Sequence, residues 1–234
     1  MSVVMSRLDV DTQADAVLPA VLAEACVTVL GVAGAGLSMT DELRVPLGAS
    51  DDLVACAESL QTTLGEGPCL SATKAQRPLI ANLDTMATQW PMFHRELVNQ
   101  TPFRSIASLP LSSLDRQRMG ALDLYSTEPD FFPAARVAEI GTDIADPMAA
   151  ILFDATMVSP HREATLSAWF TTPSAAARMN VWVAVGMIIQ HTNRANADAL
   201  AALRAYGFSR ELTLEQVATE LSTRQLDPEA VLPR

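Results

Sequence analysis

The residues that could do chemistry in this 234-residue chain are few and scattered. Cys26, Cys56 and Cys69 lie far apart with no CxxC spacing, and three thiols cannot all pair, so neither a disulfide scaffold nor a thiolate metal site is expected. Cys69 follows Gly67-Pro68 at a helix start, where a lowered pKa would suit a redox sensor. The alternative is a small buried hydrophobe. His94 and His161 have no neighbours at metal-ligand spacing, and Asp51-Asp52 reads as a helix cap. The Gly65-Glu-Gly67 turn lacks both the length and the Lys-Ser/Thr ending of a phosphate loop. No catalytic constellation emerges, so the expectation is a protein that is not an enzyme and carries no metal.

The elements that position these residues come from an apolar chain. Hydrophobic residues make up 49% and charged residues 18%, which excludes a disordered chain. Residues 16–39 hold one charge, Glu24, but Pro19 and the glycines Gly31, Gly34 and Gly36 favour a helix and a strand over a membrane span. Asp9, Asp11 and Asp15 precede that stretch where a secretory signal would be basic, so a cytoplasmic location is expected.

Periodicity predicts a helix over 11–30 with Val17, Val21, Leu22, Ala25 and Val29 on one face. Strands follow at 34–39 and 43–48 around a polar turn at 40–42. Asp51 or Asp52 caps a helix to about 63 with Leu53, Val54, Ala57 and Leu60 as its apolar stripe. After a Gly- and Pro-rich turn at 64–70 come a strand at 78–83 and a short helix opened by Trp90-Pro91. The clearest hairpin pairs 105–111 with 118–126 around 112–117. In it Leu122, Leu124 and Ser126 alternate with Ala121, Asp123 and Tyr125, as in a strand with two unlike faces. Residues 133–153 are helical again, with a kink or restart at Pro147. The sum is an α+β domain with a mostly antiparallel sheet and helices grouped around it.

Leu64-Gly-Glu-Gly-Pro-Cys-Leu70, Trp90-Pro-Met-Phe93, Arg104-Ser-Ile, Leu109-Pro-Leu111 and Gly120-Ala-Leu-Asp-Leu-Tyr-Ser126 occur in an order that resembles a GAF domain of the actinobacterial regulatory type. The resemblance covers about residues 10–155. It implies a sensory module that holds a small ligand between sheet and helices and often forms homodimers. The Asn-Lys-Phe-Asp-Glu signature of cyclic-nucleotide-binding members is absent, which disfavours that ligand. Members that reduce free methionine sulfoxide use paired cysteines, an arrangement not evident here.

Residues 156–173 read as a linker with a short helix around 163–168 and with Trp169-Phe170 docking on one domain or the other. From 174 the pattern becomes three short helices. Ser174 could cap the first, which carries Ala177, Val181, Ala184, Val185 and Ile188, and the second, over 196–205, carries Ala199, Leu200, Leu203 and Tyr206. The third has a capping box, Thr213-Leu-Glu-Gln216, ahead of Leu214, Val217, Ala218 and Leu221. Although the whole chain has a formal net charge of −11, residues 174–234 balance six arginines against six acids. A neutral unit permits nucleic-acid binding without arguing for it.

Val181-Trp-Val-Ala-Val-Gly-Met-Ile188, Ala199-Leu-Ala-Ala-Leu-Arg-Ala-Tyr206 and Leu212-Thr-Leu-Glu-Gln-Val-Ala218 resemble an ANTAR domain, an antiterminator RNA-binding module. Trp182-Val183 departs from the polar pair that precedes Ala184 in many members. The resulting division is a GAF-like domain at 1–155, a linker at 156–173, an ANTAR-like three-helix domain at 174–226 and a tail at 227–234. The small residues Ala184, Gly186, Ala199 and Ala218 serve close packing. RNA contact then falls to outward-facing Arg178, Gln190, His191, Asn193, Arg194, Arg204 and Arg210, with Arg204 foremost because arginine forks onto phosphate and stacks on unpaired bases. Arg234 is expected to be solvated.

The resemblance implies a signal-responsive antitermination regulator, in which the GAF domain senses a small ligand or partner and a homodimer reads paired stem-loops in nascent transcripts. The alternatives are a protein-interaction module without RNA binding and a Cys69-based redox sensor.

Overall fold

The computed structural model describes residues 12–40, 44–112, 118–158, 162–170 and 172–232. The turn residues Asp41 and Glu42, the hairpin loop at 113–117, His161 and Arg234 lie outside the described residues. The chain opens with α1 (Thr12–Leu30), β1 (Gly34–Thr40) and β2 (Arg44–Ala49), then α2 (Asp52–Leu64) and α3 (Pro68–Ala75). β3 (Leu79–Asn82), α4 (Leu83–Gln89) and α5 (Pro91–Gln100) precede the hairpin of β4 (Ser105–Ser112) and β5 (Arg118–Ser126). The five strands form one antiparallel sheet in the order β2-β1-β5-β4-β3. The α+β reading with a central antiparallel sheet therefore holds. Helix α3 begins at the helix start read at Gly67-Pro68, and the short helix α4 lies where only the end of a strand was expected. Their segments are too short for periodicity to reveal them, and Pro68 at the first turn and Asn82 as a cap are their local signals.

Each face of the sheet carries its own core. One packs α1 and the helices after β5 against Leu37, Leu109, Leu122 and Leu124. The other gathers Val54, Met86, Phe93, Leu97, Phe103 and Tyr125 beneath α2, α4 and α5. The alternation read in β5 thus divides Leu122 and Leu124 from Tyr125. Helix α1 corrects most of the expected face: Leu22 is buried as expected, but with Leu18, Ala23, Cys26 and Leu30, whereas Val17, Val21 and Val29 are 52%, 40% and 52% exposed. The helix is apolar nearly all round, so its own periodicity cannot say which side meets the sheet. Leu53 on α2 is likewise exposed, outside the stripe of Val54 and Ala57.

After β5, α6 (Ala134–Ile140) runs through a π-helical turn at Gly141–Ala145 into α7 (Asp146–Phe153), and a second π turn follows at Asp154–Val158. The wider turn stands where Pro147, which has no N–H to donate, enters the helix. Helix α8 (Arg162–Phe170) places Trp169, fully buried, in the sheet-side core with Leu109 and Leu152.

The C-terminal helices are α9 (Pro173–Thr192), α10 (Asn196–Ser209) and α11 (Leu214–Ser222). Thr172, not Ser174, caps α9: its hydroxyl accepts from the Ala175 N–H at 3.3 Å and Pro173 occupies the first helical position. The capping box of α11 is complete, with Thr213 Oγ1 accepting from Gln216 N–H and Gln216 Oε1 accepting from Thr213 N–H. Val181, Ala184, Val185, Ile188, Ala199, Leu203, Leu214, Val217, Ala218 and Leu221 form a separate core. Its alanines let the helix axes approach closely. Among the described residues no helix is long and apolar enough to cross a membrane.

Candidate functional site

The interior between the sheet and α2 holds a cluster of charged and polar side chains. Arg44 lies in β2, an edge strand, and Asp123 in β5. The Arg44 Nη2 donates to Asp123 Oδ2 at 2.6 Å and pairs with Glu58 Oε2 on α2. Its Nε donates to Ser38 Oγ at 2.9 Å and its Nη1 to the Glu58 carbonyl at 3.2 Å. Gln61 Nε2 donates to Asp123 Oδ2 and to Tyr125 Oη, both at 3.2 Å, while Gln61 Oε1 accepts from the Cys69 N–H at 2.9 Å. Tyr125 Oη donates to Glu58 Oε1 at 2.5 Å, and its ring lies 4.8 Å from that of Phe103. Asp123 Oδ1 and Ser108 Oγ are buried with no partner among the described residues.

These groups are closed off from water, which sets their protonation. Burial pushes the Glu58 carboxyl up to about 8, against the pull of Arg44 and with the push of Asp123. Burial also works to lower the Arg44 pKa, but the nearby carboxylates outweigh it and the guanidinium stays charged. Glu58 is therefore the carboxyl of the cluster that takes up a proton most readily. The Cys69 thiol is raised well above its ordinary value, chiefly by burial and further by Asp123 and Glu58. The lowered pKa anticipated from its place at a helix start is thus corrected: desolvation outweighs the helix terminus. No group of three or more His, Cys, Asp or Glu among the described residues is placed to hold a metal ion.

Arg44, Glu58 and Gln61 were not singled out by sequence reasoning, and Asp123 and Tyr125 figured only in a strand pattern and in the Gly120–Ser126 motif of the GAF resemblance. The available signal was a charge inside an apolar strand, as in Arg44-Val45 and Leu122-Asp-Leu124. A buried charge there requires a partner.

The residues expected to contact RNA divide into two groups. Arg178 is 1% exposed, with its Nη2 2.5 Å from Glu215 Oε1. Burial, opposed by Glu215 and joined by repulsion from Arg44 and Arg204, draws its pKa down to about 10. Arg204 is half-buried, and its Nε donates to the Thr62 carbonyl at 3.3 Å. Its guanidinium lies over Gly65, where a Cβ would come within 2.9 Å of it. Gly65 ends α2 at φ +72°, so one glycine both stops the helix and admits the arginine. Gln190, His191, Asn193, Arg194 and Arg210 are exposed. Arg210 stands over the Tyr206 ring at 5.0 Å, and His191 Nδ1 lies 2.9 Å from the Met187 carbonyl. The C-terminal three-helix unit, called the tail from here on, is seated on α2 and α5: Leu214 N–H donates to Thr63 Oγ1 at 3.5 Å, and the Arg95 guanidinium covers the Phe208 ring at 5.9 Å.

Between the two units lies a cleft of about 620 Å³. Pro46, Leu47, Ala55 and Asp52 line one wall, and Pro173, Ala177, Arg178 and Glu215 the other.

A sheet flanked by α1 and α7 on one side and α2–α5 on the other, enclosing a polar interior, is the architecture of a sensory module. The family model described as a GAF domain matches residues 11–152, and the chain belongs to the GAF-domain family, a family of signal-sensing domains. Among solved structures, the chain is similar to the GAF domain of a phosphoenolpyruvate-protein phosphotransferase from Coxiella burnetii. Identity is 17% and the TM-score 0.49, over 66% of this chain and 90% of that one. The corresponding domain from Acinetobacter gives 13% identity and a TM-score of 0.48 over 68% and 92%. Free methionine-R-sulfoxide reductase from Neisseria meningitidis, in complex with its substrate, gives 19% and 0.46 over 70% and 87%. No curated protein matches the chain.

Proposed function

We propose that the protein is a signal-responsive antitermination regulator in which the GAF domain governs RNA binding by the C-terminal helices. The observation that carries this reading is the placement of the arginines. Arg204 is engaged where the tail is seated on the GAF domain and Arg178 is buried against Glu215 within the tail, while Arg194, Arg210, Gln190 and His191 face solvent. Seating the tail and gripping RNA then compete for Arg204, and a signal that shifts the domain arrangement shifts the competent population. The ANTAR-like pattern of Val181–Ile188, Ala199–Tyr206 and Leu212–Ala218 supplies the RNA-binding half of the reading. Paired stem-loops call for two tails in a homodimer, in which the second loop binds at a raised effective concentration. The exposed Val17, Val21 and Val29 stripe on α1 is a surface where a second copy can be sought.

The test is retention of a dual stem-loop RNA at low salt by the whole chain. Arg194→Ala with Arg210→Ala should weaken it. Gly65→Asn keeps a residue tolerant of the left-handed conformation but sets a side chain against Arg204, so it should raise retention by unseating the tail. No retention by either the parent chain or Gly65→Asn would end the RNA reading. A protein-interaction module is the second reading, favoured by the burial of Arg178 against Glu215. It gains if the whole chain self-associates but retains no RNA, with the double alanine variant self-associating as well as the parent.

A further inference from the structure

The interior polar cluster is filled by its own side chains, whereas the cleft between the GAF domain and the tail is open. We propose that this cleft binds a small zwitterion of the α-amino-acid type, its carboxylate on Arg178 and its ammonium between Glu215 and Asp52.

Three observations select that chemistry. The cleft, at about 620 Å³, has the size of a small-molecule site, and its walls come from both units. Arg178, itself almost wholly buried, has its Nε and Nη1 without a hydrogen-bond partner among the described residues, and Glu215 Oε2 is buried in the same condition. A buried guanidinium satisfied through one nitrogen carries an uncompensated desolvation cost, as does an orphaned carboxylate oxygen. Both residues line the cleft. These atoms have almost no accessible surface, so an occupant meets them only as the two side chains turn towards the cleft, where it would accept from Arg178 and donate to Glu215.

Charge narrows the class. The described lining sets Asp51, Asp52 and Glu215 against the single guanidinium of Arg178, since Glu58 is already paired with Arg44. A dianionic phosphate meets that excess of carboxylates, and a plain amine leaves the Arg178 donors unmet. A zwitterion answers both ends. Leu47, Pro46, Ala55, Pro173 and Ala177 leave an apolar wall for the ligand's own side chain. Such a molecule joins Asp52 of the GAF domain to Arg178 and Glu215 of the tail and so holds the two units together. That regulatory meaning rests on the function proposed above, but the binding does not.

The test is calorimetric titration of the full chain with the common L-α-amino acids, each taken singly, beside their N-acetyl and methyl ester forms. At least one free amino acid is expected to bind with one site per chain. Its two blocked forms should be weaker by roughly tenfold or more, as for loss of a charge-assisted contact. Asp52→Asn, on an exposed residue, should weaken binding, and Ala177→Leu, which fills the cleft, should abolish it with the unfolding midpoint little changed. Arg178→Met and Glu215→Gln should do the same, but these can also disturb the seating of the tail. The proposal is overturned if no amino acid binds, if a blocked form binds as well as the free one, or if Asp52→Asn and Ala177→Leu both leave affinity intact. RNA retention without amino-acid binding removes the cleft proposal alone. Binding without RNA retention in either state supports the cleft proposal and removes the antitermination reading.

Discussion

Arg44 and Asp123 are 79 positions apart in the chain, yet their side chains meet at 2.6 Å in an interior closed to solvent. The strand between theirs, β1, makes the meeting possible. Gly36 on β1 stands opposite Asp123, and a Cβ there would lie 2.7 Å from Glu58 Cδ. The missing side chain is the space into which Glu58 descends from α2 to complete the group.

Removing the cation from this group should be costly. Arg44→Met leaves Asp123 buried without its counter-ion and Glu58 without its donor, and is expected to destabilise the protein by about 3–5 kcal/mol. Urea unfolding of the purified variant measures it. A loss under about 1 kcal/mol, the size of an exposed pair, would show that the cluster is hydrated.

The Glu58 carboxyl makes stability depend on pH. Its pKa rises on folding from the ordinary 4.5 to about 8. Below the lower value both states hold the proton. Between the two values the unfolded chain releases it while the folded protein keeps it, so stability falls as pH rises through that window. Glu58→Gln should flatten this slope in thermal unfolding measured between about pH 5 and 8. An unchanged slope would place the proton elsewhere.

The cysteines should differ in reactivity. Cys69 is buried with its pKa raised well above the ordinary value, and burial pushes Cys26 to about 12, whereas Cys56 is half-buried and less enclosed. Iodoacetamide followed by mass spectrometry should modify Cys56 first, with Cys26 and Cys69 reacting only on unfolding. Fast native modification of Cys69 would revive the redox alternative.

Gly120 on β5 is required by packing rather than by a turn. A Cβ at that position would lie 1.9 Å from the Ser38 carbonyl oxygen, which belongs to the neighbouring backbone and cannot swing aside. Gly120→Ala is expected to cost about 3 kcal/mol, at the upper end of overpacking, and to speed amide exchange along the β1–β5 ladder. Exchange unchanged in Met39 and Leu122 would refute it.

The tail's capping box provides a local contrast. Thr213→Ala removes the hydroxyl that accepts from Gln216 N–H and should cost the three-helix unit about 1 kcal/mol. Amide exchange in α11 should register this while the GAF sheet is unaffected.

What could be read from the residues alone was what neighbours in sequence decide. Asp51 as a cap, the Thr213–Gln216 box, the hairpin of β4 and β5 and the apolar stripe Val181–Ala184–Val185–Ile188 are local hydrogen bonds and single-face periodicities. They do not depend on the rest of the molecule. The side of α1 that is buried, the partners of Arg44 and the engagement of Arg178 and Arg204 depend on what is packed opposite. An apolar helix presents several usable faces, and a charged side chain in a strand is tolerated only if distant residues supply its counter-ion. Tertiary structure decided those questions because burial and Coulomb energy depend on distance in space, for which separation along the chain is no guide.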